Sequence, residues 1–115
     1  MKIQVEDRGR CIYVEVKEDR LDTLSASKMK EKLIFLIQNQ ELKNIVLNIQ
    51  SCSFCDASGL SAIQAVHCKC EKTAGMLIVT GIQANIEKMI KICKLDSVWN
   101  IAKDTDEAEK ILIQG

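Results

Sequence analysis

The stretch SCSFCDASGLSA, residues 51–62, holds the side chains in this sequence best suited to chemistry. Cys52 and Cys55 stand at the C-x-x-C spacing used for metal binding and for thiol redox work. Adding His67 and Cys70, three apart on one face of a helix, completes a ligand set of the kind zinc prefers. Geometry argues against that site. If the helix begins near Ala57, His67 lies about ten residues, or roughly 15 Å, along it. Metal bonds of about 2.0 to 2.3 Å cannot close such a gap.

A strand, a C-x-x-C and a helix in that order resemble a thioredoxin-like layout. Reactive thiols, however, need positive surroundings or a helix N-terminus, and here Asp56 follows Cys55 directly and favours the protonated thiol. In an extended segment Cys52 and Cys55 also point to opposite faces. Both are therefore expected to be small core or loop residues, with a thiol redox protein as the competing function. Cys11 and Cys93, each inside an apolar pattern, are expected to be buried. His67 has no evident nucleophile or carboxylate partner at a fixed spacing, so a hydrogen-bonded or surface helix position is expected. No Ser/His/Asp order, paired-carboxylate signature or Gly-x-Gly phosphate loop is present. The sequence accordingly predicts no catalytic residue, no metal and no cofactor.

The D-A-S-G-L that follows the cysteines has a different chemistry. A helix N-terminus carries unpaired backbone N–H groups and partial positive charge, which suit a carboxylate cap or an added phosphate. Asp56 fits the cap. Ser58 and Ser61 place hydroxyls in the first turn, and Gly59 leaves backbone uncovered for a close approach. On residue types alone, a capped helix that binds nothing is the simpler reading.

The elements that must position this segment are read from periodicity. Residues 2–6 and 12–16 alternate polar and apolar around the turn DRGR, which predicts a hairpin. Met29, Leu33, Leu36 and Ile37 fall at helical spacing, giving a helix from a cap at Thr23 or Ser25 to about Gln40. NIVLNI, residues 44–49, predicts a strand covered on both faces. A helix from Ala57 to about Lys72, a strand MLIVT at 76–80, a helical stripe from Ile82 to Cys93 and a strand at 98–101 follow. Asp104 and Glu107 open a last helix as a capping box. The order ββαβαβαβα predicts an α/β fold: a mixed central sheet of about five strands, parallel after its hairpin, with about four helices. Sites in such sheets lie beyond the C-terminal strand ends, where SFCDASG stands.

Composition narrows the partners. The 115 residues suit one domain, 1–115, and hydrophobic residues at 47% with charged ones at 28% place the chain among well-folded proteins. Sixteen basic residues balance sixteen acidic ones, so no net field draws the domain to nucleic acid or to an anionic membrane. The run LIFLI is far too short for a bilayer span, and MKIQVEDRGR lacks the apolar stretch of a signal peptide. A cytoplasmic protein with reduced thiols and no membrane insertion is expected.

The whole layout resembles a STAS domain of the stand-alone anti-sigma factor antagonist type. The resemblance is carried by NIVLNI, SFCDASGLSAI and GMLIVTG, with Asp22 of RLDTLSA ahead of the first helix. It implies a non-enzymatic regulatory module whose partner is an anti-sigma factor or a serine kinase of the histidine-kinase-like ATPase class. It also implies a switch, in which phosphorylation of a serine directly after the aspartate breaks the complex. This sequence has Ala57 at that place, so the switch is either absent or moved to Ser58 as candidate acceptor. Asp22, Asp56, Ala57, Ser58 and Gly59 are the expected partner-binding residues, within the segment 54–60. An accessory role in a transport system, as in some STAS proteins, is the further alternative.

Overall fold

The computed structural model of the protein describes residues 2–39 and 44–114. Ile3–Asp7 (β1) and Ile12–Val16 (β2) pair antiparallel, in register from Ile3 opposite Val16 to Asp7 opposite Ile12. Gly9 makes the turn with φ of 79°, a conformation that costs other residues more, and its N–H donates to Asp7 Oδ1 at 2.9 Å. Beyond the hairpin come Ile45–Asn48 (β4), Leu77–Thr80 (β6) and Asn100–Ala102 (β7), all parallel to β2. The sheet order is β1-β2-β4-β6-β7. Among the described residues the helices are Thr23–Asn39 (α1), Ala57–Lys72 (α2), Ala84–Ile92 (α3) and Thr105–Gln114 (α4).

Strand pleating divides the core between two sheet faces. Ile12, Val14, Ile45, Leu47, Leu77 and Val79 pack with the buried faces of α1, α2 and α3. Val46, Ile78 and Ala102 face the other way, toward Ala108, Ile111 and Leu112 of α4. Cover on both sides is why Ile45, Val46 and Leu47 of β4 and Leu77, Ile78 and Val79 of β6 are apolar without alternation, with polar Asn48 and Thr80 only at the strand ends. Met29, Leu33 and Ile37 of α1 are fully buried, each contributing roughly 1.5–3 kcal/mol through lost apolar surface. Among the described residues no helix is long and apolar enough to cross a membrane.

Several local expectations need correction. The α1 cap is Asp22, not Thr23 or Ser25: Oδ1 of Asp22 accepts from the Ser25 N–H at 3.3 Å, and Ser25 Oγ accepts from the Asp22 N–H at 3.0 Å. The expected α1 end at Gln40 lies outside the described residues. The last strand begins at Asn100 rather than Val98, because Leu95–Ser97 form a 3-10 turn that Val98 closes by donating to the Leu95 carbonyl. Cys11 is buried, whereas Cys93 is exposed. Helix α3 stops at Ile92, so Cys93 leaves the apolar stripe. Half of the capping box of α4 forms, with the Glu107 N–H donating to Asp104 Oδ1 at 2.9 Å, while the Glu107 carboxylate accepts from the Lys103 N–H at 3.1 Å instead of the Asp104 N–H.

Candidate functional site

Two strands of two residues each set the geometry. Arg20–Leu21 (β3) and Phe54–Cys55 (β5) pair in parallel outside the main sheet, Arg20 opposite Phe54 and Leu21 opposite Cys55. Each strand is followed by an aspartate and then a helix: Asp22 opens α1 and Asp56 opens α2. Asp56 is extended, and its Oδ1 accepts from the Gly59 N–H at 3.0 Å, satisfying an otherwise unpaired donor. The carboxyl of Asp22 is held below its ordinary range by the hydrogen bonds from Ser25, backbone first and hydroxyl second.

Because the paired strands deliver both helices at one level, their first turns lie side by side. Thr23 Oγ1 and Ser58 Oγ are 3.2 Å apart. A groove of about 370 Å³ runs between the helices, lined by Thr23, Ser27, Lys30, Ala57, Ser58 and Ser61 among others. Ala57 is exposed at its edge and Ser58 is half-buried within it.

Gly59 is buried, so the close approach it permits is internal. A Cβ there would overlap Cys55 Sγ and sit 2.8 Å from the Leu21 carbonyl oxygen. Its role is to let α2 start directly beneath β3 and β5. The structure thus brings Ala57 and Ser58 to this groove, with Asp56 capping α2 just ahead of them and Gly59 buried beneath, whereas Asp22 caps α1 and lines a separate groove with Glu18, Asp19 and Lys28.

A family model for the STAS domain matches residues 2–108. The chain belongs to the STAS domain family. Solved structures similar to this STAS domain include the anti-sigma factor antagonist SpoIIAA in its unphosphorylated form, at 19% identity and TM-score 0.75 over 99% of each chain. An anti-sigma factor antagonist from Mycobacterium paratuberculosis matches at 19% identity and TM-score 0.84, covering 96% of this chain and 92% of that one. The Bacillus cell fate determinant SpoIIAA in its phosphorylated form matches at 19% identity and TM-score 0.73, over 96% and 99%. These likenesses bear out the expected α/β fold, with a mixed five-stranded sheet and four helices.

In this STAS domain the cysteine pair lies in the core. Cys52 and Cys55 are both buried in one apolar cluster, as expected of small core residues. They do not face opposite ways as in a continuous strand, because a turn closed by the Cys52 N–H on the Ile49 carbonyl precedes the pair and the chain bends at Ser53 between them. Burial pushes the Cys52 thiol up to about 11 and the Cys55 thiol to about 12, with Cys52 and Asp56 adding to the latter. Desolvation, more than the neighbouring aspartate, keeps Cys55 protonated. A thiol so held is the opposite of an activated nucleophile. His67 does have a carboxylate partner, one helical turn on: its Nε2 lies 3.2 Å from Glu71 Oε1, and the ring is buried.

Periodicity could not find Thr23 as the neighbour of Ser58, because only β3 and β5 bring them together. Arg20 and Phe54 were missed for the same reason. The guanidinium of Arg20 stacks 4.1 Å above the Phe54 ring.

Proposed function

We propose that this STAS domain is a non-enzymatic, cytoplasmic binding module that acts as an anti-sigma factor antagonist. Its partner is an anti-sigma factor or a related serine kinase of the histidine-kinase-like ATPase class. The contact surface is the strand-end and helix-start segment 54–60 together with Asp22. Ala57 and Ser58 line its groove behind the capping Asp56, Gly59 fixes the height of α2 beneath them, and Asp22 contributes from the head of α1. The observation that carries this reading is the exposed Ala57 at the head of α2, directly after the capping Asp56 and lining an open groove with Thr23 and Ser58. A patch of this size makes a dissociable complex rather than a permanent one.

Binding is constitutive in this proposal. In the family pattern the residue after the aspartate accepts phosphate, and relatives are solved in phosphorylated and unphosphorylated forms. Alanine has no hydroxyl to modify. Ser58, one residue on, is turned by about 100° around the helix axis and engages Thr23 instead of standing free. Ser58 is the remaining acceptor should a switch exist. A phosphate there adds about two negative charges and displaces the Thr23 contact.

The test is capture from native cell extract in reducing buffer, with the wild type, Ala57→Glu and Cys52→Ala/Cys55→Ala as bait. Mass spectrometry should identify a histidine-kinase-like ATPase on the wild type and on the cysteine variant, and Ala57→Glu should lose it. Retention by Ala57→Glu, or loss with the cysteine variant while its fold persists, overturns the proposal. Intact-mass analysis of the native protein should show no added phosphate. Phosphate outside residues 56–61 would refute a helix-start switch.

A further inference from the structure

Strand β1 forms one end of the five-stranded sheet, and beyond Ile3 each of its residues is exposed. The opposite end, β7, has three residues and offers little edge to pair with. β1 is longer and regular, in register with β2 from Ile3 to Asp7 without a proline or a bulge. Its free side has a fixed set of donors and acceptors. The Lys17 N–H donates to the Lys2 carbonyl and the Arg8 N–H to the Cys11 carbonyl, both at 2.9 Å. Antiparallel alternation therefore turns the backbone groups of Lys2, Gln4, Glu6 and Arg8 toward β2, and those of Ile3, Val5 and Asp7 outward.

A second β1 running antiparallel across a two-fold axis must set odd residues opposite odd ones, or donors meet no acceptors. Few registers remain. Val5 opposite Val5 sets Lys2 against Arg8, Val5 opposite Asp7 sets Glu6 against Glu6, and Ile3 opposite Ile3 pairs only the start of the strand. Ile3 opposite Val5 sets Lys2 against Glu6 at both ends, with Gln4 against Gln4 on the axis. Opposite charges directly across two strands attract, and like charges repel. Arg8 already pairs with Glu6, but through Oε2 alone at 3.0 Å, which leaves Oε1 for a second cation. Among the described residues the Lys2 ammonium has no ion pair, and β2 adds one acid and one base, Glu15 and Lys17, to the same face. On the other face Ile3 packs on the core while Val5 is 40% exposed, and this register covers each Val5 with the Ile3 of the second copy.

We propose that β1 is a self-recognition edge: two copies of this chain pair their β1 strands antiparallel, Ile3 opposite Val5 and Lys2 opposite Glu6, and join their sheets into one. The charges that guard this edge against other strands are the ones that match it to its own copy. A contact one strand wide lies below the size of permanent interfaces, so the dimer is reversible, with a Kd of roughly 0.1 mM. β1 contributes nothing to segment 54–60, and the pairing is independent of the proposed function.

Sedimentation velocity of the full chain, from about 10 µM to about 1 mM, should show the average mass climb from 12.9 kDa toward twice that value. Dilution of the ¹⁵N-labelled protein should shift amides centred on residues 2–7. Lys2→Glu and Glu6→Lys should each weaken association about tenfold, since each sets like charges opposite one another at both ends. Mixed in equal amounts, the two variants should associate again, because each supplies the charge the other lacks. Val5→Pro removes an outward N–H and no bond to β2, so it should stay monomeric. The charge variants, on an exposed face, carry the test should the proline disturb the hairpin. A monomer up to about 1 mM, shifts centred elsewhere, or a mixture that associates no better than either charge variant alone overturns the proposal.

Discussion

The hydroxyls of Thr23 and Ser58 lie 3.2 Å apart, joining the first turns of two helices across 35 positions of sequence. Either oxygen can donate, and each gives the other a partner at the mouth of an open groove. Thr23→Val and Ser58→Ala should each cost about 0.5–1 kcal/mol, as for a partly exposed hydrogen bond. The double variant should fall short of their sum by about 0.5 kcal/mol, because both remove one interaction. Urea unfolding followed by the fluorescence of Trp99, the single buried tryptophan, measures this. Strict additivity would mean the pair is not coupled in solution.

Gly59→Ala should destabilise the fold by about 1–3 kcal/mol although alanine is the better helix former, since overpacking outweighs propensity. The added methyl meets Cys55 Sγ and the Leu21 carbonyl. Combining it with Cys55→Ala frees space on the sulfur side alone. The double variant should therefore be more stable than the summed single effects, yet remain below wild type. A neutral Gly59→Ala would contradict the packing described.

Burial raises the thiols of Cys52, Cys55 and Cys70 from an ordinary 9.0 to about 11, 12 and 12. A raised folded value means that the unfolded chain loses these protons first as pH climbs. Stability carried by the neutral thiols is thus complete below about pH 8.5 and declines as pH rises toward 11–12. Replacing all three by alanine should flatten that alkaline decline in a series of urea midpoints. In native protein the exposed Cys93 should react with a thiol reagent first, and the four buried thiols, Cys11 among them, only on opening. Fast labelling of Cys55 at neutral pH would speak for the redox alternative.

The larger elements were legible because burial writes a period into the sequence. Leu33 and Ile37 mark one side of α1, and the apolar run at 45–47 in β4 reflects cover on both sheet faces. Strands of two residues carry no period, so β3 and β5 stayed invisible, and with them the Arg20–Phe54 stack and the Thr23–Ser58 contact. Asp56 was legible as a cap because it stands alone ahead of Ala57. RLDTLSA offers three capping residues in four positions, and only the backbone at Asp22 decides among them. Gly59 was legible as a close approach but not as an inward one, since that depends on where Cys55 and the Leu21 carbonyl come to lie.

The β3–β5 pairing has a kinetic consequence. It ties the heads of α1 and α2 into one piece, so a partner meets a face already assembled and pays little for ordering it. Association should then proceed by simple encounter, its observed rate climbing linearly with partner concentration and reaching no plateau.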